Sequence, residues 1–188
     1  MIKSVRYTFE ELRPIRTSID QCRSYLVQFI EQYQSIELIE IETRLLNRCV
    51  YKNWNARRAE VGIQSARRTV RLLERFLVER EQNLDKILNE FKPDDIEIHL
   101  PSRGTLNQLL TNLEKSCSLL TKLEHRTKTT IDHLRLECSR ANYVQYNILI
   151  MSLCSRLYFL VKALVQSQNE FCQKMKTSIK IFKKKTVS

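Results

Sequence analysis

Between Arg48 and Arg58 the chain reads Arg-Cys-Val-Tyr-Lys-Asn-Trp-Asn-Ala-Arg-Arg, with cations interleaved among two aromatic rings and two amides. Each type has a use in recognising a nucleic acid. Arg48, Lys52, Arg57 and Arg58 can pair with phosphates, while Tyr51 and Trp54 can stack on unpaired bases. The amides of Asn53 and Asn55 can reach base edges or ribose hydroxyls. Arg67, Arg68, Arg71 and Arg75 continue the basic track along the next predicted helix. Arginine outweighs lysine here, and its planar fork suits bidentate contact with phosphate. The same residues also have a purely structural reading. Trp54 then plugs a junction of two helices, the asparagines cap backbone amides, and Arg75 pairs with Glu79 four residues on. An acidic protein is a further candidate partner for such a face.

Charge placement favours a polyanion. Arg44–Arg80 holds ten basic residues against three acids, and Lys174–Lys185 holds six lysines and no acid, so all of the chain's surplus positive charge (net +11) sits in two segments and the rest is slightly acidic. Concentrated like charge repels itself unless something negative screens it. Lys183–Lys185 is expected to be a solvated basic tail over residues 183–188. A membrane surface is a competing use of the lysine-rich end.

Catalytic machinery is not legible. His99, His125 and His133 are scattered, and the two glycines, Gly62 and Gly104, lie in no phosphate-cradling motif. Cys117, His125, His133 and Cys138 carry zinc-ligating atoms at spacings of eight, eight and five, which match no compact metal motif. The acids Glu81, Asp85, Glu90, Asp94, Asp95 and Glu97 read as a solvated face, or as a counterweight to the arginines before them, rather than a magnesium site. The expectation is therefore no enzyme activity, no cofactor, no metal and no small-molecule substrate. Six cysteines without a Cys-x-x-Cys pair read as buried thiols of a reducing compartment.

A helical frame must position these groups. So few glycines and prolines argue for long helices. Ile15, Ile19, Cys22, Leu26, Phe29 and Tyr33 form one helical stripe, starting after Pro14 with Thr17 or Ser18 as cap. A second helix starts at Ser35 and buries Leu38, Ile41, Leu45 and Cys49 or their neighbours, with a break or kink expected at Tyr51–Asn55. Ile63, Ala66, Val70, Leu73 and Leu77 form the next seam, and Glu81–Phe91 a short fourth segment. Pro93-Asp94-Asp95 ends that half, and Ile96–Pro101 crosses as an extended linker. Ser102 or Thr105 starts a long helix with Leu106, Leu109, Leu113, Cys117, Leu120, Ile131, Leu134 and Cys138 inward, interrupted near Thr127–Thr130. The last helix runs from Tyr143 to about Phe182. Its charge-free run, Ala141–Ser155, is fifteen residues, short of the roughly twenty a bilayer crossing needs. A buried central helix and no membrane are expected. The fold class is all-α, an antiparallel bundle of four to six helices in one domain over residues 1–182, with halves at 15–91 and 102–182.

Three blocks carry a resemblance to a known family. They are Leu45-Leu-Asn-Arg-Cys-Val-Tyr-Lys-Asn-Trp-Asn-Ala-Arg-Arg58, then Leu100-Pro101-Ser102 opening the long helix, then Tyr146–Lys162 with its embedded Ser155-Arg156-Leu157-Tyr158-Phe-Leu160-Val-Lys162. In this order they resemble the nucleolus and neural progenitor protein (Nepro) family, itself similar to the small helical protein subunit of fungal RNase MRP. The glutamine common after the second asparagine in fungal relatives is Ala56 here. The resemblance implies a nucleolar, nuclear, non-catalytic helical subunit of a ribonucleoprotein that supports precursor ribosomal RNA processing. Its implied partners are structured RNA, RNase MRP RNA above all, and other protein subunits of the particle. Arg156 and Lys162 then either reach a protein or RNA neighbour or pair with acids inside the bundle. The competing function is a helical protein–protein adaptor without direct RNA contact.

Overall fold

The computed structural model describes residues 4–7, 13, 16–33, 35–79, 98–141 and 143–180. Among them are five helices: α1 (Arg16–Tyr33), α2 (Ser35–Arg57), α3 (Val61–Glu79), α4 (Arg103–Ser139) and α5 (Val144–Ile179). The fold is an all-α helical bundle. Strands β1 (Ser4–Tyr7) and β2 (Ile98–Pro101) add an antiparallel ribbon, pairing Ser4 with Pro101 and Tyr7 with Ile98. The expected linker thus ends in a paired strand. The expected fourth segment at Glu81–Phe91, the acidic cluster, the Pro93 break, Phe182 and the lysine tail lie outside the described residues.

The chain divides into two compact units. The first holds residues 1–33, 81–115 and 167–188. Its core follows the predicted stripe: Cys22, Leu26 and Phe29 of α1 are buried, with Leu106, Leu109 and Leu113 of α4 and Phe171, Met175 and Ile179 of α5. The rings of Phe29 and Phe171 stack with centroids 4.4 Å apart. Gln168, fully buried, donates to the Leu113 carbonyl at 2.9 Å, so its burial carries a compensating hydrogen bond. Ser102 caps α4 as expected: its Oγ accepts from the Thr105 amide at 3.2 Å and its carbonyl accepts from Leu106 at 3.1 Å.

The second unit holds residues 34–80 and 116–166. In α2 the buried stripe is Ile36, Ile39, Thr43, Leu46 and Val50, so the neighbours of Leu38, Ile41 and Leu45 turn inward and those three stay exposed. Thr43 tolerates burial because its hydroxyl donates to the Ile39 carbonyl at 2.6 Å. In α3 the predicted seam is buried at Ile63, Ala66, Val70 and Leu73, with Phe76 in place of Leu77 at its end.

Two expected interruptions are absent. α2 runs unbroken through Tyr51–Asn55, because Asn53 turns its amide back onto the Cys49 carbonyl at 2.8 Å instead of competing for turn geometry. The reversal falls at Arg58–Glu60, where the Glu60 amide donates to the Arg57 carbonyl at 3.0 Å. α4 also runs unbroken through Thr127–Thr130. Thr127, Thr129 and Thr130 each donate a hydroxyl to the carbonyl four residues back, at 2.7–2.9 Å. Thr130 Oγ1 then lies 2.8 Å from Ser65 Oγ and 3.0 Å from Thr69 Oγ1, a small hydroxyl cluster joining α4 to α3.

By length and composition α5 is apolar enough to cross a membrane, although its longest charge-free run is short. Its inward side carries Ile150, Leu153, Cys154, Leu157, Val161 and Leu164, all buried, and the fully buried polar residues Asn147 and Gln168. Only 39% of its most apolar 18-residue window is buried, so α5 packs along one side and is not the buried central helix expected from the sequence. Val144, Tyr146, Ile148, Leu149 and Phe159 remain exposed. None of the six cysteines is in a disulfide. Cys117, His125, His133 and Cys138 all lie on α4, where steps of eight, eight and five residues separate neighbours by about 12, 12 and 7.5 Å of rise, so they do not converge on one ion.

Candidate nucleic-acid interface

Two cross-links set the register of the α2–α3 hairpin in the second unit. Asn47 Nδ2 donates to Glu74 Oε1 at 2.9 Å, and the Arg67 guanidinium lies 3.8 Å from the centroid of the Trp54 ring. Seven residues up one helix match seven residues down the other, so the helices are antiparallel. Tyr51 lies between Asn47 and Trp54 by steps of four and three, and Arg71 lies between Arg67 and Glu74 by the same steps. They therefore occupy the same level of the seam. Tyr51 is 81% exposed.

Exposed cations flank this seam. Arg48 and Lys52 on α2, Arg58 in the turn and Arg68 and Arg71 on α3 are exposed and have no ion-pair partner among the described residues. Asn55 is exposed beside them. Arg75 is exposed as well, but its Nε donates to Glu79 at 2.7 Å, the pairing weighed from the sequence. Such a surface pair contributes a few tenths of a kcal/mol and does not prevent exchange for another anion. Trp54 is half-buried under Arg67, neither sealed in the core nor bare. Its neighbour Asn53 is half-buried with its amide already engaged.

Arg57 corrects the sequence reading. It is only 2% exposed, and its Nε donates to both carboxylate oxygens of Glu60 at 2.9 Å. Its Nη2 reaches Asn147 Oδ1 on α5 and lies 3.7 Å from Glu137 on α4, and the guanidinium sits 4.5 Å from the centroid of Tyr143. Nε and Nη2 are engaged, and Nη1 is buried without a hydrogen-bond partner among the described residues. Arg57 is a clamp that ties the hairpin turn to the α4–α5 turn, and it offers nothing to phosphate. Tyr143 and Ala141 in that turn hold left-handed backbone angles, φ 45° and 59°, which cost about 1–2 kcal/mol for a side-chain-bearing residue. Glu137 also accepts from the Gly62 amide at 2.7 Å. None of Glu60, Glu137, Tyr143 or Asn147 was foreseen. The available signal was Glu137 itself, a carboxylate three residues after Leu134 on an inward stripe.

Arg156 and Lys162 diverge. Arg156, 59% exposed, pairs with Glu42 of α2 at 3.0 Å, while Lys162 is exposed 5.9 Å from the centroid of Tyr158.

The family described as "Nucleolus and neural progenitor protein, N-terminal" matches residues 4–176. The chain belongs to this family. Its name points to the nucleolus. The matched span runs from β1 through nearly all of α5 and includes the whole α2–α3 hairpin. Comparison with curated proteins and with solved structures gives no significant match.

Proposed function

We propose that this member of the Nepro family is a non-catalytic, RNA-binding subunit of a nucleolar ribonucleoprotein of the RNase MRP kind, supporting precursor ribosomal RNA processing. One observation carries the reading. An exposed tyrosine and an arginine-stacked tryptophan share a hairpin face with five exposed cations that have no ion-pair partner among the described residues. Rings supply stacking platforms and cations neutralise backbone, the combination that single-stranded or looped RNA requires. Five phosphates neutralised give a slope of log affinity on log salt on the order of −4. Replacing Arg58, Arg68 and Arg71 by glutamate is expected to abolish binding of a folded precursor ribosomal RNA fragment while helicity by circular dichroism persists. Retained binding by that variant would rule the hairpin face out.

A second reading, the protein–protein adaptor, draws on the exposed apolar residues Leu38, Ile41 and Leu45 of α2 and Ile148, Leu149 and Phe159 of α5. It predicts the reverse pattern: complex formation lost on polar substitution of Leu149 and Phe159 and insensitive to the charge reversals.

A further inference from the structure

Within the first unit, the start of α4 and the end of α5 enclose an open cleft of about 410 Å³. Arg103 and Asn107 line it from α4, Lys176 from α5 and Lys180 from the turn just after it, beside Leu110 and Ile179. Three cations thus converge on one concavity. Among the described residues a single carboxylate answers them: Glu114 pairs with Lys176, and this bond raises the lysine's pKa. Half-buried Arg103 and exposed Lys180 have no ion-pair partner among the described residues.

The lysines alone have a simple explanation. Lys176 lies in the last turn of α5 and Lys180 directly follows the helix, where the dipole is negative and favours cations. Arg103 has none. It is the first residue of α4, at the positive pole of that helix, in a first turn without an acid. Cation and dipole oppose each other there, and Lys180 adds to the same field. An anion in the cleft relieves all three.

We infer that this cleft is a second anchorage for the phosphate groups of RNA, in a unit separate from the hairpin face. The inference rests on the RNA reading above. Backbone rather than base is the target, because no aromatic side chain lines the cleft and its polar groups are three cations, the Asn107 amide and the Thr177 hydroxyl, all of which can meet phosphate oxygens. A lipid surface fits poorly: membrane-docking faces insert apolar side chains, whereas Leu110 is 6% and Ile179 3% exposed.

The test uses the full chain and a folded precursor ribosomal RNA fragment, with the double variant Arg103→Glu/Lys180→Glu beside the hairpin variant. The cleft variant is expected to lose about tenfold in affinity and to flatten the salt slope by about 1.5, as two lost phosphate contacts require. Arg103→Lys/Lys180→Arg is expected to retain most of the affinity and the slope. Unchanged affinity and slope in the cleft variant, with binding lost in the hairpin variant, overturns the cleft and leaves the RNA reading standing. Unchanged binding in both variants overturns both. Phosphatidylserine vesicles or an acidic peptide that bind the chain and release it on cleft reversal, with RNA affinity unmoved, also overturn the cleft assignment.

Discussion

The carboxylate of Glu137 accepts a hydrogen bond from the backbone amide of Gly62 at 2.7 Å, joining α4 to the first turn of α3. That turn contains no acid of its own. Glu137 supplies the negative charge the helix end favours. Gly62 has no positive φ, so conformational freedom does not account for the glycine. Space does. A Cβ there would stand 2.6 Å from Glu137 Oε2 and 2.9 Å from Leu134 Cδ2.

Gly62→Ala is therefore expected to destabilise the protein. In an open helix the change gains about 1 kcal/mol of propensity. Here overpacking, typically costing about 1–3 kcal/mol, opposes it and displaces the Glu137 contact. Chemical denaturation is expected to show a net loss of about 1–2 kcal/mol. A rise in stability would mean that Glu137 moves aside freely.

Much of the frame is legible in the sequence, and the exceptions have physical causes. Cys22, Leu26 and Phe29 read correctly because polar residues surround them. In α2, Leu38, Ile41 and Leu45 alternate with Ile39 and Leu46, so apolar residues lie on two faces and the buried one is not distinguishable by period. The helix break was misplaced because Asn53 satisfies its donor locally, on Cys49. β1 and β2 join Ser4 to Pro101, too far apart for any local pattern to report. In the candidate site, Arg48, Lys52, Arg68 and Arg71 stand where the charge pattern places them, at the surface. Arg57 looks no different from Arg58 in the sequence, and its burial depends on Asn147, 90 residues away.

That distinction predicts different behaviour for two adjacent arginines. Removing one partner of a buried charge cluster costs about 3–5 kcal/mol, so Arg57→Ala is expected to unfold the second unit in large part. Arg57→Lys keeps the charge but cannot span Glu60 and Asn147 together. It is expected to lower the denaturation midpoint while leaving RNA affinity per folded molecule unchanged. Arg58→Glu is expected to do the opposite. Thermal denaturation and filter binding on the same preparations separate the two.

The thiols report packing through their acidity. Burial pushes Cys154 up to about 12 and raises Cys22 too, the latter partly offset by its hydrogen bond with Ser178. At pH 8 iodoacetamide is expected to modify half-exposed Cys117 and Cys138 first and to spare Cys154 and Cys22 until the chain unfolds, as read by mass spectrometry. A raised folded pKa also sets the sign of the linkage. Below 9.0 the Cys154 thiol keeps its proton in both states, whereas between 9.0 and about 12 the unfolded chain releases a proton that the folded chain holds. Stability then falls as pH rises through that window. The fall is expected to be shallower in Cys154→Ala.

The Arg67–Trp54 stack makes the sole tryptophan a reporter for the hairpin face. The guanidinium covers one side of the indole, an interaction worth roughly 0.5–1 kcal/mol at a partly exposed site. Arg67→Ala is expected to red-shift the emission and to destabilise the fold by about that amount. Tyr51 needs no uncovering, and a base stacked on it contributes about 1–3 kcal/mol. Tyr51→Ala is thus expected to weaken RNA binding about tenfold or more while leaving the salt slope unchanged, because no phosphate contact is lost. Arg71→Glu, at the same level of the seam, is expected to flatten the slope. If Tyr51→Ala and Arg71→Glu shift affinity and slope alike, the ring is not a stacking platform and the face acts through charge alone.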